Sequence, residues 1–135
     1  MKQITLLTVL FMLLTSFQSG NAEQPSLYHT KWVLNSIHDR NVTEYIYTRA
    51  FLQFDDDTKR VSGNGSCNSF GGTMDVSEEA IQFGNLFSTK MYCADVQDIE
   101  TLFLKQLGKV NRYEIKGTNL KLFKDDTLLL SFKMG

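Results

Sequence analysis

Proline is almost missing from this chain of 135 residues, which has only Pro25. Proline cannot donate to a sheet ladder, so its scarcity leaves every candidate strand uninterrupted. Cysteine is scarce too, with Cys67 and Cys93 the only two. They lack Cys-x-x-Cys spacing and any βαβ surroundings, which excludes a thioredoxin-type redox pair. Neither sign of charge prevails: 14 Lys and Arg stand against 15 Asp and Glu, for a formal net charge of -1. A general nucleic-acid binder needs a basic face to displace counterions, so that class is excluded. Apolar runs of membrane-spanning length are absent, and the longest stretch, Ile4 to Leu14, is too short to cross a bilayer.

What that stretch does have is a charged Lys2 before it and the small residues Gly20-Asn21-Ala22 after it. This order is that of a secretory signal, so residues 1–22 are read as a leader cleaved before Glu23. A buried N-terminal helix would need a polar face of 3.6 period, which the stretch lacks. The leader has no cysteine to carry a lipid, so no stable membrane anchor is expected and the mature protein should be periplasmic or secreted. Residues 23–135 suit one small domain. In an oxidising compartment the two cysteines are expected to pair, with two separate buried thiols as the alternative. A bridge would close 26 residues, for which chain entropy gives about 3.5 kcal/mol as an upper figure.

Alternation dominates the mature chain. Trp32/Leu34, Ala50/Leu52/Phe54, Met74/Val76, Ile81/Phe83, Tyr113/Ile115, Leu120/Leu122 and Leu128/Leu130/Phe132 each set apolar side chains two apart, as half-buried strands do. Turn residues fall between them at 55–58, 78–79, 117–119 and 124–126, and the last three strands read as a meander. One segment, from about Asp95 to Leu107, reads as a helix, with Val96, Ile99, Leu102, Phe103 and Leu107 on one stripe. Asp95 is expected to cap it and Gly108 to end it. The expected fold is mainly β: a small curled sheet or barrel of about eight short strands with one α-helix.

The least generic segment is Val61-Ser-Gly-Asn-Gly-Ser-Cys-Asn-Ser-Phe-Gly-Gly-Thr-Met74. It lacks the lysine and spacing of a phosphate-binding loop, so its glycines are read as allowing positive φ and sharp sheet curvature. Asn68 is expected to bond nearby backbone. Trp32-x-Leu34-x-x-Ile37, the run Ser62 to Gly72, Ser88-Thr-Lys-Met-Tyr-Cys93, Glu100-x-x-Phe103-x-x-x-Leu107 and Tyr113-x-Ile115 follow one another in order. Together they resemble a META domain of the HslJ type over nearly the whole mature chain. The resemblance implies a barrel-like fold with one helix, an exported envelope setting with a stress response in some members, and a likeness in shape to a lipid-binding secretion chaperone. The residues that carry it are Trp32, Gly63, Gly65, Cys67, Asn68, Phe70, Gly72, Thr89, Met91 and Cys93, read as structural. The chain departs from the pattern at Ser66 and Phe70, and it has no lipobox.

No catalytic constellation emerges. His29 and His38 have no Asp or Ser at triad spacing, and with the cysteines they show no zinc-binding spacing. Asp55-Asp56-Asp57 starts like a calcium loop but has Arg60 and Ser66 where glycine and glutamate are needed. Neither enzyme activity, a metal nor a cofactor is therefore expected. Two readings remain: a non-enzymatic envelope module that binds or stabilises another exported protein, with a stress-protective role, and a carrier holding a lipid or small hydrophobe in an open barrel. The many Phe and Tyr residues supply enough bulk to fill a small interior, which favours the first.

Overall fold

The computed structural model describes Gly20 and residues 25–38, 40–41 and 49–135, excluding the side chains of 40 and 41. The expected leader, apart from Gly20, lies outside the described residues. Among the described residues, nine strands and one helix follow in order: β1 (Trp32–Ile37), β2 (Arg40–Asn41), β3 (Phe51–Asp55), β4 (Arg60–Asn64), β5 (Ser69–Ser77), β6 (Ala80–Ser88), α1 (Gln97–Leu107), β7 (Arg112–Lys116), β8 (Asn119–Lys124) and β9 (Thr127–Met134). Every pairing is antiparallel between neighbours, and β1 also pairs with β9. The sheet therefore closes into a ring of eight strands, with the two-residue β2 attached beside β1.

Alternation builds the ring, because side chains two apart share a face. Trp32 lies opposite Leu52, Phe54 opposite Val61, and Leu120 opposite Phe132, all turned inward and buried. Trp32, Leu52, Val61, Ile81, Leu120, Leu122, Leu130 and Phe132 have no measurable exposure and form one contiguous core. The tight connections fall where the sequence places them: Glu78-Glu79, Gly117-Thr118 and Asp125-Asp126 each join two strands. The meander of β7, β8 and β9 is present as expected.

The ring is weakest between β6 and β7, whose strand register is the single pair Ala80 and Arg112. Two further bonds, Ile81 N–H to Asn111 O and Tyr113 N–H to Glu79 O, hold that end. Helix α1 sits in the connection between the two strands and sends Phe103 into the core. There its ring meets Phe70 edge-on at 5.6 Å and Phe132 at 6.1 Å. Such aromatic contacts add to the burial that fixes the helix.

Two expectations need correction. Helix α1 starts one turn position later than expected, with Val96 as its N-cap and no side-chain cap, so Asp95 does not cap it. Val96 is buried at the helix start instead, and its N–H donates to Cys93 O. Gly108 ends the helix as expected, in a right-handed conformation (φ -66°). The glycines of the 61–74 segment do not take positive φ, since among the described glycines only Gly117 does so. They sit in or beside β4 and β5 and are needed for close approach. A Cβ on Gly63 would collide with the Phe51 carbonyl oxygen. The left-handed position of the segment belongs to Ser66 (φ 108°).

Candidate functional site

The family-type residues converge at one end of the barrel, where the turn between β4 and β5 meets α1 and the 89–96 connection. Glu100 is the centre of this cluster. It lies on the buried side of α1 with 3% exposure. Its Oε2 accepts the backbone N–H groups of Cys67 (2.9 Å) and Asn68 (2.7 Å), and its Oε1 accepts Asn68 Nδ2 (2.6 Å). A buried carboxyl without such donors would carry a large desolvation cost, and three short bonds offset it. Gly65 makes the approach possible, because a Cβ there would meet the Glu100 Cγ at 2.7 Å and Oε2 at 2.8 Å.

Asn68 is buried and has its full hydrogen-bonding capacity in use. Its Nδ2 donates to Glu100 and to Met91 O (2.9 Å), while its Oδ1 accepts Thr89 Oγ1 and Met91 N–H, both at 2.8 Å. One amide therefore ties the β4–β5 turn to the helix and to the 89–91 strap. The Cys67–Cys93 disulfide is present, with Cα atoms 5.8 Å apart, and crosses the same junction. Gly65 N–H donates to Asn68 O, and Thr89 N–H donates to Ser69 O. The junction is a latch of three segments.

Trp32, Phe70 and Gly72 belong to the barrel wall and core. Trp32 Nε1 donates to Leu27 O at 3.1 Å, and Gly72 leaves room for Leu86. Met91 is different: its backbone is held by Asn68, but its side chain is 60% exposed, beside Tyr92 at 78%. A groove of about 430 Å³ runs beneath them, lined among others by Lys90, Thr101 and Leu104. His29 and His38 are exposed turn residues with positive φ, and the cysteine sulfurs are committed to each other. Among the described residues, no three His, Cys, Asp or Glu side chains gather as a metal site.

Glu100 is the residue that sequence reasoning missed as a site member. Its signal was there, since it sits one residue past Ile99 and three before Phe103, a carboxyl within the apolar stripe.

A closed antiparallel barrel with a side-chain-filled core, one helix and a disulfide-backed latch defines the class of fold. The META domain family model matches residues 25–134, and the chain belongs to that family. Among solved structures, a protein from Burkholderia xenovorans, determined by NMR, is similar at 23% identity and a TM-score of 0.64. That match covers 87% of this chain and 96% of that one. Another NMR structure matches at 22% identity and a TM-score of 0.61, covering 78% and 89%. A DUF4847 family protein from Bacteroides vulgatus, a crystal structure, matches at 12% identity and a TM-score of 0.60, covering 77% and 91%. No curated protein matches. At these identities the solved structures speak for the fold alone.

Proposed function

We propose that this META domain protein is exported and works by binding another exported protein through its outer surface, without turnover chemistry. The observation that carries this reading is the contrast inside the latch. The Asn68 amide and the Glu100 carboxyl are used up within it, while the segment it clamps holds the Met91 and Tyr92 side chains out in solvent. Keeping large apolar side chains exposed is costly to solubility, and methionine and tyrosine are enriched where proteins meet. A clamped segment also loses little conformational entropy on association, which favours affinity.

The large, unexposed side chains in the core also support this reading over a carrier with an open interior. Capture of native complexes from the exported fraction, followed by mass spectrometry of proteins and lipids, tests the choice. A protein partner recovered without stoichiometric lipid is expected. Bound lipid near one equivalent would favour the carrier.

A further inference from the structure

We infer that the cleft between the starts of β1 and β3 and the Ser66 turn is a docking site for a carboxylate on an extended acidic and apolar segment of the partner protein. The proposal rests on the binding reading above and gives that partner a chemistry.

The cleft holds about 480 Å³. Its floor is set by register: Val33 pairs with Phe51 and Phe51 with Asn64, so the three side chains stand in a row on the outer face of neighbouring strands. Lys31 and Arg49 lie two residues before Val33 and Phe51 and flank that row from the same face. Lys31 Nζ rests 4.4 Å from the centre of the Phe51 ring. Lys133, paired with Val33 from β9, adds a third cation on this face. Neither Lys31 nor Arg49 forms an ion pair with a carboxylate among the described residues.

Ser66 closes the third side of the cleft. It lines the cleft, is held at φ 108° in the latch turn, and its Oγ is buried with no hydrogen-bond partner. The enclosed hydroxyl leaves the reachable donors of the cleft to Lys31 and Arg49. Lys31 and Arg49 are thus two cationic donors around a half-buried aromatic and a valine, and the complement is a carboxylate with an apolar neighbour. The cleft favours a protein segment over a free small anion. Its cationic walls are exposed and its floor only half-buried, whereas small-molecule sites enclose most of their ligand. Cys67, next to Ser66, is bridged to Cys93, so the cleft and the Met91–Tyr92 surface flank one rigid junction.

The test is titration of the ¹⁵N-labelled protein with four probes: a capped hexapeptide of alternating leucine and aspartate, its leucine and asparagine counterpart, phenylacetate, and inorganic phosphate. The acidic peptide is expected to shift the amides of Val33, Phe51, Asn64 and Ser66, and the neutral peptide to leave them in place. Replacing Lys31 and Arg49 together by glutamine should weaken the acidic peptide roughly tenfold, and Ser66→Ala should weaken it less. Equal response to both peptides, no response to either, or no loss in the double variant overturns the site. Equal response to phosphate or phenylacetate overturns the peptide source. If the site fails while the exported fraction still yields a partner, the binding reading stands alone. If the peptide binds but no partner is recovered, the site stands and the binding reading fails.

Discussion

Asn68 and Glu100 show what a single position contributes here. Each donor and acceptor of the Asn68 amide faces a matching group, so exchanging its nitrogen for oxygen sets acceptor against acceptor at Met91 O and Glu100 Oε1. Asn68→Asp is therefore expected to cost roughly 3 kcal/mol or more and to be no milder than Asn68→Ala. Glu100→Ala, which strands two buried backbone N–H groups, should cost a similar amount, and Glu100→Gln about half as much. Urea denaturation of the purified variants checks the order. Asp55 gives a pH-dependent counterpart. Its carboxyl accepts the Thr58 and Asp57 N–H groups at the β3–β4 turn, and chiefly the Thr58 bond holds its pKa below the ordinary carboxylate value, against a smaller opposing effect of desolvation. A depressed folded-state pKa gives stability that is present above the unfolded value and lost as pH falls through the folded one. Asp55→Ala should therefore lower Tm at neutral pH, and the gap to wild type should narrow below about pH 4. A gap that stays constant down to acid pH would remove this account of the turn.

At the scale of elements, the disulfide and the latch bear on the part of the ring that its own ladder holds least, the β6–α1–β7 passage. Reduction, or replacement of Cys67 and Cys93 together by serine, should lower stability by up to about 3.5 kcal/mol. Hydrogen exchange should then quicken first in residues 84–95 and last in β8 and β9. Uniform quickening would mean that the junction does not limit local opening. The sequence marked the elements by period wherever one face was buried, as in β1, β3, β8 and β9. It was silent on β4, because Arg60–Asn64 has Val61 as its lone apolar residue and its pairing depends on glycines seen only beside their neighbours. The start of the helix was misplaced by a capping rule. Asp95 is a good capping residue, but the buried Val96 stands at the boundary. Half of the latch was legible, since the Cys67-Asn68 run and the Thr89 to Cys93 run stand out as motifs. For the other half, Glu100, the sequence shows a carboxyl in an apolar stripe but not its partner, which lies 32 residues away in sequence.

For the whole molecule, the account is of a filled META barrel whose family motif is spent on holding a rigid outer surface. Under the proposed binding function the motif residues act only through folding, whereas the side chains they hold outward act on the partner directly. The exposed pair Met91 and Tyr92 separates the two roles, because their side chains add little to the core. The most direct measurement is partner recovery per folded molecule from the exported fraction, comparing wild type with Met91→Ser/Tyr92→Ser and with Cys67→Ser/Cys93→Ser. The account predicts that the first variant keeps its Tm within a few degrees yet loses most of the partner. It predicts that the second loses Tm but retains binding in each molecule that remains folded. A folded cysteine variant that binds nothing, or a Met91/Tyr92 variant that binds as wild type does, would contradict it.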